Sequence, residues 1–182
     1  MEVRMLDVAV AYNRYKYLGN EFLTWLWFMM ETDRSALEFP EAESTNLEIG
    51  NRIVLENNRH NRDETITIKG DGAGLEEGVI ALKKGALVTE ISLVVKAPES
   101  EWRFQLKGES LNITSLKPPE KNPGEAADDM EQRVLEQLAH VERADNLVHQ
   151  LYQQFIRHRL SEDWANTIVP AMTRWIGQSA SS

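Results

Sequence analysis

The chain has 182 residues, 42% of them hydrophobic and 27% charged, a formal charge of −9 and no cysteine. This is an ordinary globular composition, long enough to bury a core without staples, and it excludes disulfides, thiolate metal sites and a cysteine nucleophile. The acidic balance opposes long-range attraction to phosphate, although the stretch from Leu47 to Lys117 is near neutral and lies between two acidic segments.

Met1 to Val10 has no uninterrupted apolar core, so no signal peptide is expected. Tyr17-Leu18-Gly19-Asn20 reads as a turn, with Asn20 capping a helix over Glu21 to Glu31. Phe22, Trp25, Leu26 and Met29 recur at helical steps, and Leu23, Trp27, Phe28 and Met30 widen the apolar face almost all round. A helix of this kind must be covered on most sides. Its apolar run from Phe22 to Met30 is far short of the about 20 residues that span a bilayer, so no membrane segment is expected, and the absence of cysteine suits a reducing cytoplasm, where the chain is expected.

Asp33 to Asn46, with Pro40, reads as a loop leading to strands at Leu47 to Gly50, Ile53 to Asn57 and Thr65 to Lys69. Asn58 to Asp63 forms a polar hairpin tip between the last two. Leu75 to Lys84 reads as a short helix, with Glu76 and Glu77 in its first turn, Lys83 and Lys84 in its last and Gly85 as its stop. Strands follow at Leu87 to Val95 and Trp102 to Lys107, with Leu111 to Leu116 as a candidate edge strand.

Lys117 to Gly124 contains three prolines and a glycine and breaks the chain. Beyond it Met130, Val134, Leu138, Val141, Ala144, Val148, Leu151 and Phe155 repeat at three or four residues, which predicts one long amphipathic helix. Ser161-Glu162-Asp163 starts a second helix carrying Trp164, Ile168, Met172, Trp175 and Ile176, with a kink at Pro170. The expected fold is α+β: a mostly antiparallel sheet with short helices over 1–117, a linker over 118–124, a helical hairpin arm over 125–176 and a disordered tail over 177–182.

Chemistry-bearing clusters are few. Gly70-Asp71-Gly72-Ala73-Gly74 lies between a strand and a helix, where phosphate loops occur, but Leu75 replaces the third glycine of the dinucleotide fingerprint and Glu76 and Glu77 fill the helix end. A turn and cap is the reading that fits. His140, His149 and His158 fall nine residues apart on the long helix, about 900° of rotation, so His149 faces away from the other two and no shared metal site is expected. No nucleophile elbow or carboxylate cluster is evident, so neither catalysis nor a cofactor is expected.

The residues suited to phosphate are Arg59 and Arg62, beside His60 at the hairpin tip, and Lys83 and Lys84 at the helix end. A solvated loop and a dipole-matched helix terminus account for the same residues. The arm's stripe of Val134, Leu138, Val141, Val148, Leu151 and Phe155 is wider than a lone helix can bury, which makes it a candidate oligomer interface.

Phe22-Leu23-Thr24-Trp25-Leu26-Trp27-Phe28 is followed after the β region by Glu77, then Ile80-Ala81-Leu82-Lys83-Lys84-Gly85-Ala86-Leu87-Val88-Thr89-Glu90-Ile91-Ser92-Leu93. Trp102-Arg103-Phe104-Gln105-Leu106 and Ser115-Leu116-Lys117-Pro118 come next. In order and spacing this pattern resembles the C-terminal portion of the recombination-associated RdgC family, from about Leu18 to Trp175. The family's position after the helix-ending glycine, often lysine, is Ala86 here. The resemblance implies ring-shaped homodimers that bind duplex DNA without sequence preference and restrain the recombinase filament. On it rests the expectation of a non-catalytic accessory protein in recombination, binding DNA weakly as a dimer or with a separately encoded partner. An acidic subunit that binds only protein is the alternative, and a nuclease lacks the carboxylates it would need.

Overall fold

The computed structural model describes residues 8–39, 46–57, 64–70, 75–97, 100–117 and 130–178. Four expected features lie outside the described residues: the hairpin tip with Arg59 and Arg62, most of the glycine loop, the proline-rich linker and the last four residues.

Five strands form one antiparallel sheet: β1 (Asn46–Asn57), β2 (Glu64–Lys69), β3 (Leu87–Ala97), β4 (Ser100–Lys107) and β5 (Ile113–Lys117), in the order β2-β1-β3-β4-β5. The helices are α1 (Val8–Thr32), α2 (Leu75–Lys83), α3 (Met130–Arg159) and α4 (Val169–Gln178), with a 3-10 turn at Arg34–Ala36 and a π turn at Trp164–Ile168. This is the α+β fold expected from the pattern of alternating and helical apolar residues.

One face of the sheet is apolar. Leu47, Ile53, Leu55, Ile68, Ile91, Leu93, Val95, Phe104 and Leu106 are buried there, and the period of two along each strand puts polar residues on the opposite face. On that polar face Arg52 pairs with Glu90 at 3.0 Å and Lys96 with Glu48 at 2.7 Å. The hydrogen bond from Lys96 to the Glu48 carboxylate holds its ammonium above its ordinary pKa, against a smaller desolvation effect.

α1 lies against the apolar face. All nine residues from Phe22 to Met30 are buried, as an apolar surface running round a helix requires. The sheet covers one side, and α3 and α4 cover the other. Phe22 and Trp25 meet Phe155 of α3 at ring separations of 5.5 and 5.6 Å, while Trp27 and Phe28 meet Trp175 of α4 at 5.4 and 5.7 Å.

α1 begins well before Glu21 and runs straight through Gly19-Asn20, so the expected turn and cap are corrected. Both residues are buried in the helix interior, where Asn20 has its backbone carbonyl accepting from the Thr24 hydroxyl at 2.9 Å. Gly19 serves a close approach. A Cβ on it would stand 1.8 Å from the Gly108 carbonyl oxygen.

The two short strands expected over Leu47–Asn57 are one strand with an irregularity. Pairing with β3 slips between Ile49 and Ile53, and a Cβ on Gly50 would meet Ser92 Oγ at 2.4 Å. A second slip between Val54 and Leu55 leaves Thr89 of β3 without a partner of its own in the ladder; its Oγ1 donates to the Val54 carbonyl and its carbonyl accepts from Gly108 N–H.

α2 ends as its sequence indicates. Gly85 has φ +89°, its N–H reaches the Leu82 carbonyl, and Ala86 N–H reaches that of Ala81, the paired bonds of a Schellman motif. Past α3, the expected kink at Pro170 takes the form of the π turn just before it, closed by Val169 N–H donating to the Trp164 carbonyl. Proline has no N–H, and its ring crowds the carbonyl four residues back. An extra residue in the turn relieves that crowding. Gly177 belongs to α4 and not to a frayed tail.

The helical arm is not a separate body. Leu147, Val148, Leu151, Phe155 and Trp164 belong to the same core as α1 and the sheet. Polar contacts fix the docking: buried Gln154 donates to the Ala36 carbonyl at 2.6 Å and accepts from Glu38 N–H at 3.1 Å. Arg159 pairs with Glu21 at 2.9 Å while its guanidinium lies over the Trp164 ring.

Candidate functional site

Two surface features emerge from this packing, an apolar stripe on α3 and a small acidic cavity beside α1. The stripe is created by where α3 stops touching the core. Along one helix the same three-and-four spacing yields buried Ala144, Leu147, Val148, Leu151 and Phe155, but Val134, Leu135, Leu138 and Val141 are between 48% and 66% exposed. Helical periodicity aligns these side chains into a single seam; the core covers only its C-terminal half.

The expected interface set therefore divides. Val148, Leu151 and Phe155 are corrected to intramolecular core residues, Phe155 being enclosed by Phe22, Trp25, Tyr152 and Trp164. Val134, Leu138 and Val141 remain on the surface, together with Leu135. Four exposed branched side chains in register form an apolar patch of the kind that marks an association surface.

The basic residues divide as well. Lys83 and Lys84 are exposed at the C-terminal end of α2, with Lys84 N–H bonded to the Ile80 carbonyl, and Lys69 is exposed on β2. Arg59 and Arg62 lie outside the described residues. The described histidines do not converge, and His60 lies outside the described residues. His149 Nε2 is 2.7 Å from the Gln153 side-chain nitrogen, and the His158 ring stands edge-on to Trp25. Among the described residues no group of three His, Asp or Glu is placed to hold a metal, and no helix is long and apolar enough to cross a membrane.

Tryptophan is mostly core here. Trp25 and Trp27 are fully buried, Trp164 nearly so, and Trp102 stacks on Phe104. None of the buried three can serve as a base-stacking platform, which needs an exposed ring beside positive charge.

The cavity has a volume of about 180 Å³ and lies where the end of β1, the start of β3 and the turn after β4 meet α1. Its lining includes Asn20, Glu56, Thr89, Glu90, Lys107 and Glu109. The sequence carries no signal for it. The contributing residues come from four separate elements, and a register slip brings Thr89 and Glu90 beside Val54.

Comparison with known proteins gives no match. No family model, no curated protein and no solved structure is similar to the chain at a significant level.

Proposed function

We propose that this chain is a non-catalytic accessory protein that works through association, with the first half of α3 pairing two copies of the chain. The observation that supports this is the seam of Val134, Leu135, Leu138 and Val141, left in solvent by a helix whose later apolar positions Ala144, Leu147, Val148, Leu151 and Phe155 are buried. A second copy presents the same seam, and a two-fold pair lets each cover the other. The surrounding polar surface and the charge of −9 suit a protein-binding role better than a nucleic-acid one.

Light scattering on the full-length chain is expected to give the mass of a dimer. The double substitution Val134→Glu and Leu138→Glu, at exposed positions, should give a monomer whose melting temperature is nearly unchanged. A wild-type chain that stays monomeric at high concentration would rule out the pairing.

A second reading, weak sequence-independent DNA binding within a recombination assembly, is supported by the exposed Lys83 and Lys84 and by the RdgC-like residue pattern. Duplex titrated at low salt should bind weakly. Reversing both lysines to glutamate should flatten the dependence of log K on log salt by about 0.9 for each phosphate that they neutralise. An unchanged salt slope in that variant would remove α2 from the DNA-binding surface.

A further inference from the structure

The sheet ends in two edge strands, β5 and β2, which differ in how they are guarded. β5 is five residues long, its pairing slips between Arg103 and Gln105, Ser115 stands at φ +54°, and α3 packs beside it. Devices of this kind keep an edge from pairing with another chain. Among the described residues β2 has none of them. Glu64–Lys69 pairs with β1 without a break and contains no proline, and α2 meets it only from the apolar side, where Gly78 lies against the buried Ile68.

The open edge has a definite hydrogen-bonding parity. Gly70 N–H donates to the Asn51 carbonyl, and alternate residues of an antiparallel strand point their backbone groups the same way. Glu64, Ile66 and Ile68 therefore bond to β1. The N–H and C=O of Thr65, Thr67 and Lys69 point out of the sheet, and all three residues are exposed. Backbone groups in this arrangement match an extended strand.

The strand that fits is β2 itself. Antiparallel pairing about a two-fold axis at Thr67 sets that residue against its own copy and Thr65 against the partner's Lys69, so every outward N–H and C=O is used. Both apolar faces stay on one side, with half-buried Ile66 beside the partner's Ile68. Charge agrees with this register, since no like charges stand opposite each other. Lys69 reaches past the partner's Thr65 towards the partner's Glu56, which neighbours Thr65 on β1. That is two strand spacings, about 10 Å, a gap that extended lysine and glutamate side chains span together. Among the described residues neither Lys69 nor Glu56 has an ion-pair partner.

We infer that β2 pairs with β2 of a second copy, antiparallel about Thr67, and merges two five-stranded sheets into one. The contact is separate from the α3 seam, because α3 lies beside the opposite edge of the sheet. A ladder this short buries little apolar surface, so it forms at higher concentration than the α3 pair and joins α3 dimers to one another.

Sedimentation of the full-length chain over a concentration series tests this. The wild-type mass should rise beyond the dimer. Thr67→Lys and Thr67→Glu each put like charges on the axis, with Cα atoms about 5.5 Å apart, and should weaken that step about tenfold. An equal mixture of the two variants should restore it, and the uncharged Thr67→Val should leave it intact. Hydrogen exchange locates the contact: the Thr65, Thr67 and Lys69 amides should exchange fast in the dimer and slowly in the larger species, with Ile66 and Ile68 protected in both. Repeating the series in the Val134→Glu, Leu138→Glu background separates the two interfaces. There the β2 step alone should take monomer to dimer, above the concentrations at which the α3 pair forms. A wild-type mass that stops at a dimer insensitive to Thr67→Lys overturns the β2 pairing and leaves the α3 pairing standing. Growth that Thr67→Lys does not weaken, or that the mixture fails to restore, overturns it as well.

Discussion

Replacing Gly19 with alanine is expected to cost about 3 kcal/mol or more, although the same change in an open helix stabilises by about 1 kcal/mol. The added methyl would stand 1.8 Å from the Gly108 carbonyl oxygen and 2.6 Å from its carbon. Both are backbone atoms of the turn after β4, tied to the sheet by Gly108 N–H bonded to the Thr89 carbonyl at 2.9 Å. No rotamer change relieves the clash, so α1 must lift off the sheet and loosen the nine buried residues from Phe22 to Met30. At about 2–4 °C per kcal/mol for a chain of this size, the melting temperature should fall by roughly 6–12 °C. Gly177→Ala is the control: a Cβ there has nothing within 4 Å, and it should leave stability unchanged or slightly raised. Calorimetry on both variants decides the matter, and a Gly19→Ala protein as stable as the parent would mean that the helix does not approach the turn so closely.

Phe155→Ala should be similarly damaging, by about 3–5 kcal/mol. Its ring is fully buried and lies within 6 Å, centre to centre, of Phe22, Trp25, Tyr152 and Trp164. The cavity left by its removal is bounded by rings anchored on three elements, which cannot all move inwards. The manner of melting is as informative as the amount. Because Phe155 and the sheet share one core, denaturant should unfold helix and sheet signals together, at a lower midpoint than the parent. An arm that folds by itself would give two transitions, with the sheet unaffected. Leu135→Ala, on the exposed half of the same helix, should change stability by no more than about 0.5 kcal/mol.

Much of this architecture is readable in the residues. Alternation marks Thr65–Lys69 and Trp102–Lys107 as strands, the acidic start and glycine end delimit α2, and the steps from Met130 to Phe155 announce α3. Each of these signals is local. The misreadings occur where tertiary contact sets the residue type. Gly19 looks like a turn, but it is small because Gly108 passes beside it; Gly50 looks like a strand end, but it is small because Ser92 does. Periodicity describes the full apolar stripe of α3 without revealing that the core stops near Ala144, so half of the expected interface proves to be interior. The cavity is the least legible feature. Asn20 gives no sign in the sequence that it is buried, and its carboxylate neighbours are far from it along the chain.

The Gln154 clamp on Ala36 joins residues 118 positions apart, and this separation has a consequence during synthesis. At about 5–20 residues per second, α1 leaves the ribosome on the order of 6–24 s before the helices that cover its outer side. The sheet is complete well before then and can take one side of Phe22–Met30, but Phe22, Trp25 and Phe28 must wait for Phe155 and Trp175. The nascent chain therefore passes through a stage in which its most apolar helix is half wrapped. A ribosome stalled before α3 would hold it at that stage, which makes the late helices the step that closes the fold.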